Sequence, residues 1–362
     1  MRDISRIKPY KVASHKIWEM KPEKWNDVLK LDWNEATIPP SPMVDSEIKK
    51  LLETRNFYNI YPETNNTQLI KLLADYVDLP VDNIQYFASS DSLHEYISRI
   101  FIEAGNVVTI LWPSYDNFRL TAEMCGGKID YYRYGTGFRL DEQGFIRHLE
   151  STNPCLVYIC NPNNPTGTLI EIDFIEGLLR KFPNIMFIID EAYSEFAGVS
   201  SKKLVLKYNN IIISRTMSKA FALANFRFGY ALSSVENIKL LTMIRNPKNV
   251  STFAQVAVCA ALCDLTYMEN YVADVNRGKE YLNNALSAHD EFECYMGYGN
   301  YLLVRIKGVV GGSARLVNVL EKNNIFVRVL DQDPILKDCI RITVGNVSQM
   351  QRIMEVIEEY IC

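Results

Sequence analysis

The stretch Ile211-Ile212-Ile213-Ser214-Arg215-Thr216-Met217-Ser218-Lys219-Ala220-Phe221-Ala222-Leu223-Ala224-Asn225-Phe226-Arg227-Phe228-Gly229-Tyr230 decides how this chain folds and what it holds. The β-branched run that opens it has the composition of a strand buried on both faces. A turn rich in hydroxyls follows, then one lysine among apolar neighbours, then Arg227. Ala220, Phe221 and Ala222 strip water from the Lys219 ammonium, which favours the nucleophilic amine needed for a Schiff base with an aldehyde. Thr216, Ser218 and Arg227 add two hydroxyl donors and a guanidinium fork, a set that matches a phosphate monoester. Pyridoxal phosphate carries both an aldehyde and a phosphate. A Ser-Lys pair alone would equally describe a surface lysine beside a helix, so the reading rests on the company this stretch keeps.

Outward from it, strand and helix alternate from about residue 84, the pattern of a parallel sheet covered on both faces. Strands are predicted over 84–87, 107–111, 129–132, 156–160, 185–189, 211–214 and 228–232. Ligands gather at the carboxyl ends of such strands. Ser89-Ser90-Asp91-Ser92 opens a helix over 93–102, so free N–H groups face whatever lies above the sheet. That arrangement suits a phosphate as well as it suits a plain cap. Trp112-Pro113-Ser114-Tyr115 places a ring where a flat heterocycle could stack, or where a tyrosine packs on its own sheet. In Asn161-Pro162-Asn163-Asn164-Pro165-Thr166-Gly167 the prolines shape a turn that aims an asparagine amide, a donor for a phenolate oxygen, into the site. Phe187-Ile188-Ile189-Asp190-Glu191-Ala192-Tyr193 ends a buried strand in a carboxylate, with a phenol just beyond. A buried aspartate needs a cationic partner, and a pyridinium N–H would be one. Holding that nitrogen protonated makes the ring an electron sink.

Residues 1–40 show no strong periodicity, and the cluster Pro39-Pro40-Ser41-Pro42 forbids helix and reads as an extended arm crossing a surface. Helices are expected over 46–52 and 67–77. Beyond residue 232 come long helices over 235–244, 254–265 and 267–288. A smaller α+β unit follows, with strands over 301–306, 325–329 and 339–344 and helices over 314–322 and 349–360. The expected organisation is an arm over 1–40 packing with the small domain and the substrate site, a large cofactor-binding domain over 41–245 and a small domain over 246–362. Arg328 and Arg341 lie in strands of the last unit, and a guanidinium half-buried in Cys339-Ile340-Arg341-Ile342-Thr343-Val344 wants a carboxylate or phosphate.

Composition narrows the partners. The chain has 362 residues, with 39 basic against 43 acidic side chains, so it carries no basic footprint for nucleic acid. No apolar run approaches the roughly 18 to 20 residues that span a bilayer. The N-terminus lacks the apolar segment of a signal peptide, and a cytoplasmic location is expected. The 8 cysteines include no C-x-x-C pair and the 4 histidines have no ligand spacing, so no metal site is expected.

Together these stretches resemble the fold-type I, class I and II pyridoxal-phosphate-dependent aminotransferases, and within them the histidinol-phosphate aminotransferase family. The likeness runs from Pro9-Tyr10 to the closing helix. It is carried by Tyr61-Pro62-Glu63, Asn163-Asn164-Pro165-Thr166-Gly167, Asp190-Glu191-Ala192-Tyr193, Ser218-Lys219-Ala220-Phe221 and Ile340-Arg341-Ile342-Thr343-Val344-Gly345. The resemblance implies an α/β fold of type I, a large domain with a mostly parallel sheet flanked by helices plus a smaller α+β domain. It implies three catalytic residues: Lys219 bonding the cofactor aldehyde and shuttling a proton, Asp190 on the pyridinium nitrogen, and Tyr193 with Asn164 on the phenolic oxygen. Tyr115 would stack on the ring, and the phosphate would sit on the Ser90 and Asp91 amides with Thr216, Ser218 and Arg227. Tyr61 would reach that phosphate from a neighbouring subunit, which implies a homodimer. Arg341 would clamp the glutamate carboxylate, while Tyr10, Asn34 and Arg328 would help to hold the amine substrate and its phosphate.

The chain also departs from the family pattern. Ser89-Ser90-Asp91-Ser92 replaces Gly-Ser-Asp-Glu, Asn34-Glu35-Ala36-Thr37 replaces Asn-Glu-Asn-Pro, and Asn225, a residue tolerant of positive φ, replaces a glycine. The arm around Trp18 and Trp25 replaces a short glycine-containing link. The expected activity is amino transfer between a primary amine, with L-histidinol phosphate first, and 2-oxoglutarate. An amino acid phosphate decarboxylase, or an aminotransferase for an aromatic or other amino acid, is the alternative on the same site.

Overall fold

The computed structural model describes residues 7, 9, 16–54, 57–308, 311–330 and 333–361, so Tyr10 lies outside the described residues. The first elements are β1 (Leu29–Leu31), α1 (Pro42–Glu53), α2 (Thr67–Val77), β2 (Ile84–Phe87), α3 (Ser90–Phe101) and β3 (Val107–Trp112). Then come α4 (Asn117–Met124), β4 (Lys128–Arg133), α5 (Glu142–Thr152), β5 (Leu156–Cys160), α6 (Ile172–Lys181) and β6 (Met186–Asp190). The middle of the chain continues with α7 (Ser194–Ala197), β7 (Ile211–Thr216), β8 (Gly229–Ser233), α8 (Val235–Ile244), α9 (Thr252–Leu262) and α10 (Leu265–Ser287). It closes with β9 (Phe292–Tyr295), β10 (Tyr301–Ile306), α11 (Gly312–Lys322), β11 (Ile325–Val329), β12 (Cys339–Thr343) and α12 (Val347–Ile361).

Seven strands form one sheet in the order β2-β8-β7-β6-β5-β3-β4. β4, β3, β5, β6 and β7 run parallel, and β8 lies antiparallel to both its neighbours. Strand alternation sorts the side chains into two cores. Val157, Ile159, Phe187, Ile189, Ile211 and Ile213 pack on one face. Leu156, Tyr158, Ile188 and Ile212 face the other way, against Leu93 and Ile97 of α3, Phe118 of α4 and Leu241 of α8.

A second sheet has the order β1-β11-β12-β10-β9. β1 comes from the arm and pairs parallel with β11, placing Leu29 opposite Ile325. The arm thus contributes a strand that its sequence does not announce, since three residues carry too little pattern to read. Pro42 corrects a second expectation. It opens α1 at the first helical position, where the missing N–H is one the helix leaves unpaired anyway, and Ser41 caps that end. The two sheets meet at side-chain contacts. Trp112 Nε1 donates to Asp333 Oδ2 (2.5 Å), and the Tyr301 hydroxyl donates to the Asn163 carbonyl (2.5 Å). Among the described residues no helix is long and apolar enough to cross a membrane.

Candidate active site

Three strands bring side chains from near their carboxyl ends to one place. Register sets Cys160 beside Asp190 and Asp190 beside Ser214, with β7 running on to Thr216. Asp190 is 2% exposed. Its Oδ2 accepts from the Tyr158 hydroxyl (2.7 Å) and its Oδ1 from the Ala192 N–H (3.1 Å). Burial pushes its carboxyl above the ordinary range, opposed by His94 and by these hydrogen bonds. Among the described residues no lysine or arginine lies within 4.0 Å of it, and the His94 Nε2 stands 3.7 Å away.

Tyr193 is held by two amides. Asn34 Nδ2 (3.0 Å) and Asn164 Nδ2 (3.3 Å) both donate to its hydroxyl oxygen. Their orientation follows from their other ends, because Asn34 Oδ1 accepts from Thr343 Oγ1 and Asn164 Oδ1 accepts from Arg341 Nη1. With both lone pairs of the phenol occupied, its one proton is left to point into the site. Arg341, 8% exposed, also donates from Nη2 to the Asp32 carbonyl (2.7 Å), while its Nε has no partner. Among the described residues no carboxylate comes within 4.0 Å of that guanidinium, whose polar partners are an amide oxygen and a carbonyl. Arg328 lies directly across from it, Arg328 on β11 against Arg341 on β12.

Lys219 follows β7. Its Nζ donates to the Trp33 carbonyl (3.0 Å) and stands 5.9 Å from the Tyr193 ring centre. Burial first, then the Arg341 charge, push its amine down to about 8. The arm therefore touches Arg341, Lys219 and Tyr193 through consecutive residues, Asp32, Trp33 and Asn34. Trp18 and Trp25 instead pack edge to face on each other (5.1 Å).

The N-terminus of α3 is open to the site. Ser89 Oγ takes the Ser92 N–H and the Ser89 carbonyl takes that of Leu93, which leaves the Ser90 and Asp91 amides outside the helical ladder. Thr216 Oγ1 and Ser218 Oγ lie 2.9 Å apart beside them. The Asp91 carboxylate gathers the Tyr115 hydroxyl (3.0 Å), Asn117 Nδ2 (2.9 Å) and Arg227 Nη2 (3.3 Å). Positive φ falls on Ala222 and Arg227 rather than on Asn225, which lies in a short 3₁₀ turn over Ala224–Phe226.

Ser89 holds φ 102° and ψ 162°, a backbone region that only glycine enters easily. Strain of about 1–3 kcal/mol exceeds the few tenths lost when a serine cap becomes glycine. Even after the added freedom of glycine in the unfolded chain, Ser89→Gly is expected to stabilise the protein by about 1 kcal/mol. A denaturant midpoint unchanged or lowered would contradict this.

The donor set fits pyridoxal phosphate: open amides and hydroxyls for a phosphate, a buried carboxylate for a ring nitrogen, a phenol proton for a ring oxygen and a depressed lysine for an aldehyde. The sequence profile of the aminotransferase class I and II family matches residues 26–357. The chain belongs to the class I and II aminotransferases. It is a pyridoxal-phosphate-dependent enzyme. The chain is 40% identical to the dihydroxyacetone phosphate transaminase of Campylobacter jejuni, over 99% of this chain and 96% of that protein. It is 33% identical to the histidinol-phosphate aminotransferase of Roseiflexus castenholzii, over 99% of this chain and 96% of that one. The fold matches the histidinol-phosphate aminotransferase of Sinorhizobium meliloti with TM-score 0.84 at 23% identity, over 97% of this chain and 99% of that chain.

Within this aminotransferase, the sequence reading missed Tyr158, His94 and Gly229. Strand parity was the signal for Tyr158, which shares a sheet face with Asp190. Tyr61 stands apart from the groups around Lys219, 75% exposed, with Lys248 Nζ 4.6 Å from its ring centre.

Proposed function

We propose that this aminotransferase moves an amino group between L-glutamate and a small phosphorylated ketone, dihydroxyacetone phosphate first and the ketone of the histidinol phosphate couple second. The observation that carries this reading is the pairing of Arg328 with Arg341. Residues directly opposite in an antiparallel pair share a face, and like charges there repel unless anions lie between them. Arg341, whose charge acts on Lys219, and Arg328 across from it suit a substrate carboxylate in one half-reaction and a phosphate in the other. The relatives at 40% and 33% identity are both named for phosphate-bearing compounds.

Bound pyridoxal phosphate supplies the aldehyde that takes the amino group and a ring that accepts electron density from the substrate carbon. Lys219 Nζ would hold that aldehyde in the resting enzyme and, once the substrate amine has displaced it, would serve as the base that moves a proton between the substrate carbon and the cofactor carbon that bore the aldehyde. Asp190 would hold the ring N–H, Tyr193 with Asn164 would hold the ring oxygen, and Tyr115 would serve the ring face. The Ser90 and Asp91 amides, Thr216, Ser218 and Arg227 would hold the phosphate. Arg341 orients the amino acid carboxylate, Arg328 and Tyr10 serve the substrate phosphate, and Asn34 fixes Tyr193. The Trp33 carbonyl keeps Lys219 Nζ in place and the arm shields it from water.

A second copy of the chain completes this picture. Tyr58, Ile60, Tyr61 and Met243 are exposed apolar side chains, and a homodimer would cover them while carrying Tyr61 to the partner's phosphate seat. Sedimentation at micromolar concentration tests this, and a monomer that retains full activity would end the proposal.

The decisive experiment follows the visible absorption of the loaded enzyme. L-glutamate should bleach it, and dihydroxyacetone phosphate should restore it at a far lower concentration than dihydroxyacetone, which lacks the phosphate. Restoration only by ketones without phosphate would overturn the substrate class, and release of carbon dioxide would mark the decarboxylase alternative. Arg341→Lys keeps the charge but loses the fork, so the KM for L-glutamate is expected to rise roughly tenfold, the worth of one charge-assisted hydrogen bond. A KM equal to that of the parent enzyme would remove Arg341 from the carboxylate.

A further inference from the structure

His94 is fully buried on α3, on the face that packs against the sheet, and no step described above uses it. Tyr158, Asp190 and Ser214 project toward this same face, because β5, β6 and β7 are in register. His94 stands edge-on to Phe118 (5.5 Å) and Tyr158 (5.6 Å), and those two rings stack on each other at 4.4 Å. The packing sets the plane of the imidazole and aims Nε2 at the end of β6. Nε2 lies 3.0 Å from Ser214 Oγ and 3.7 Å from Asp190 Oδ2, whereas Nδ1 is buried with no partner.

That asymmetry selects a tautomer. A proton on Nδ1 would be a buried donor with no acceptor, which costs about 1–3 kcal/mol. A proton on Nε2 donates to Ser214 Oγ and presents its positive end to Asp190 Oδ2. The opposite lone pair at Nδ1 then faces apolar rings. Tyr158 supplies the direct hydrogen bond to the same oxygen.

We propose that His94 is a positioning residue for Asp190: its Nε2–H, oriented by Ser214 Oγ, keeps the carboxylate ionised and aimed at the ring nitrogen of the cofactor. The inference rests on the reading that Asp190 meets that nitrogen. Asp190 lies in apolar surroundings that favour its protonated form, and a carboxylic acid there cannot hold a pyridinium. The oriented imidazole dipole and the Tyr158 hydroxyl oppose that tendency. Burial raises the Asp190 carboxyl, and the Tyr158 hydrogen bond lowers it.

The test uses the loaded enzyme with 15N in the cofactor ring and in histidine. In the unsubstituted protein the His94 signals, assigned by their loss in His94→Gln, should show a protonated Nε2 and a bare Nδ1. A proton on Nδ1 in the unsubstituted protein would overturn the proposal. His94→Phe keeps an aromatic filler but removes the donor. It should move the ring nitrogen toward the unprotonated shift and weaken cofactor binding about tenfold, the worth of one hydrogen bond to a charged group. His94→Gln, which can return an N–H to the same place, should recover part of both. An unchanged ring shift and dissociation constant in a folded His94→Phe protein would sink the inference. Asp190→Asn separates the two claims: if its ring shift is also unchanged, the assignment of Asp190 fails; if Asp190→Asn shifts and His94→Phe does not, only the role of His94 fails.

Discussion

Replacing Lys219 with alanine is expected to lower turnover by about four orders of magnitude, the upper range for loss of a positioned proton-transfer group, with the covalent step lost in addition. Lys219 is the depressed amine that stands beside both Tyr193 and Arg341, and its Nζ is held by a backbone carbonyl of the arm. Neighbouring groups cannot replace it: Arg341 cannot give up a proton, and the Tyr193 phenol is raised by burial. The variant should still bind pyridoxal phosphate through the α3 amides and Asp190. Borohydride should fix the cofactor to the parent protein and leave Lys219→Ala unlabelled by mass. The amine also sets a pH dependence. Because its ammonium loses a proton near pH 8, the rate at which apoprotein and cofactor join should rise with pH through about 8 and level off above it. A flat rate between pH 6 and 9, or a variant with parental turnover, would remove Lys219 from the chemistry.

The central strands were legible because nothing in them needs a polar face. Every residue of Leu156-Val157-Tyr158-Ile159-Cys160 is buried, so its apolar run is a faithful record of its surroundings. The same holds for Ile211-Ile212-Ile213 and for Lys219, whose apolar neighbours depress it in the sequence and in the structure alike. Elements that exist through distant pairing were not legible. Leu29-Lys30-Leu31 is a strand because Ile325-Phe326-Val327 lies alongside, and Phe292-Glu293-Cys294-Tyr295 because β10 does. The site divides along the same line. Asp190, Tyr193 and Asn164 announce themselves in local motifs. The facing of Arg328 and Arg341 is a fact of register, and the two amides on Tyr193 come from segments far apart in the chain. His94 is a lone histidine on an amphipathic helix until Asp190 is seen beside it.

Gly229→Ala is expected to weaken cofactor binding about a hundredfold, the scale of a misplacement near 1 Å in a positioning group. The backbone at Gly229 tolerates alanine, since its φ is not among the positive values of this chain. Space does not. A Cβ there would overlap the Ser90 backbone nitrogen and stand 2.5 Å from the Ser89 carbonyl carbon and 3.0 Å from the Arg215 carbonyl oxygen. None of these atoms belongs to a flexible side chain, so the strain must be met by moving the first turn of α3 off β8. That turn carries the open Ser90 and Asp91 amides and the strained Ser89, so displacement falls on the groups that seat the phosphate. Overpacking of this kind costs about 1–3 kcal/mol in stability, too little to unfold most domains. The loss should therefore appear in the cofactor dissociation constant before it appears in the denaturation midpoint. Saturating cofactor should restore most of the turnover with the KM for L-glutamate unchanged, since Arg341 belongs to the other sheet. Adding Ser89→Gly to the same chain frees the hinge beside the clash and should recover part of the affinity. Parental cofactor affinity in Gly229→Ala would show that the α3 terminus does not seat the phosphate.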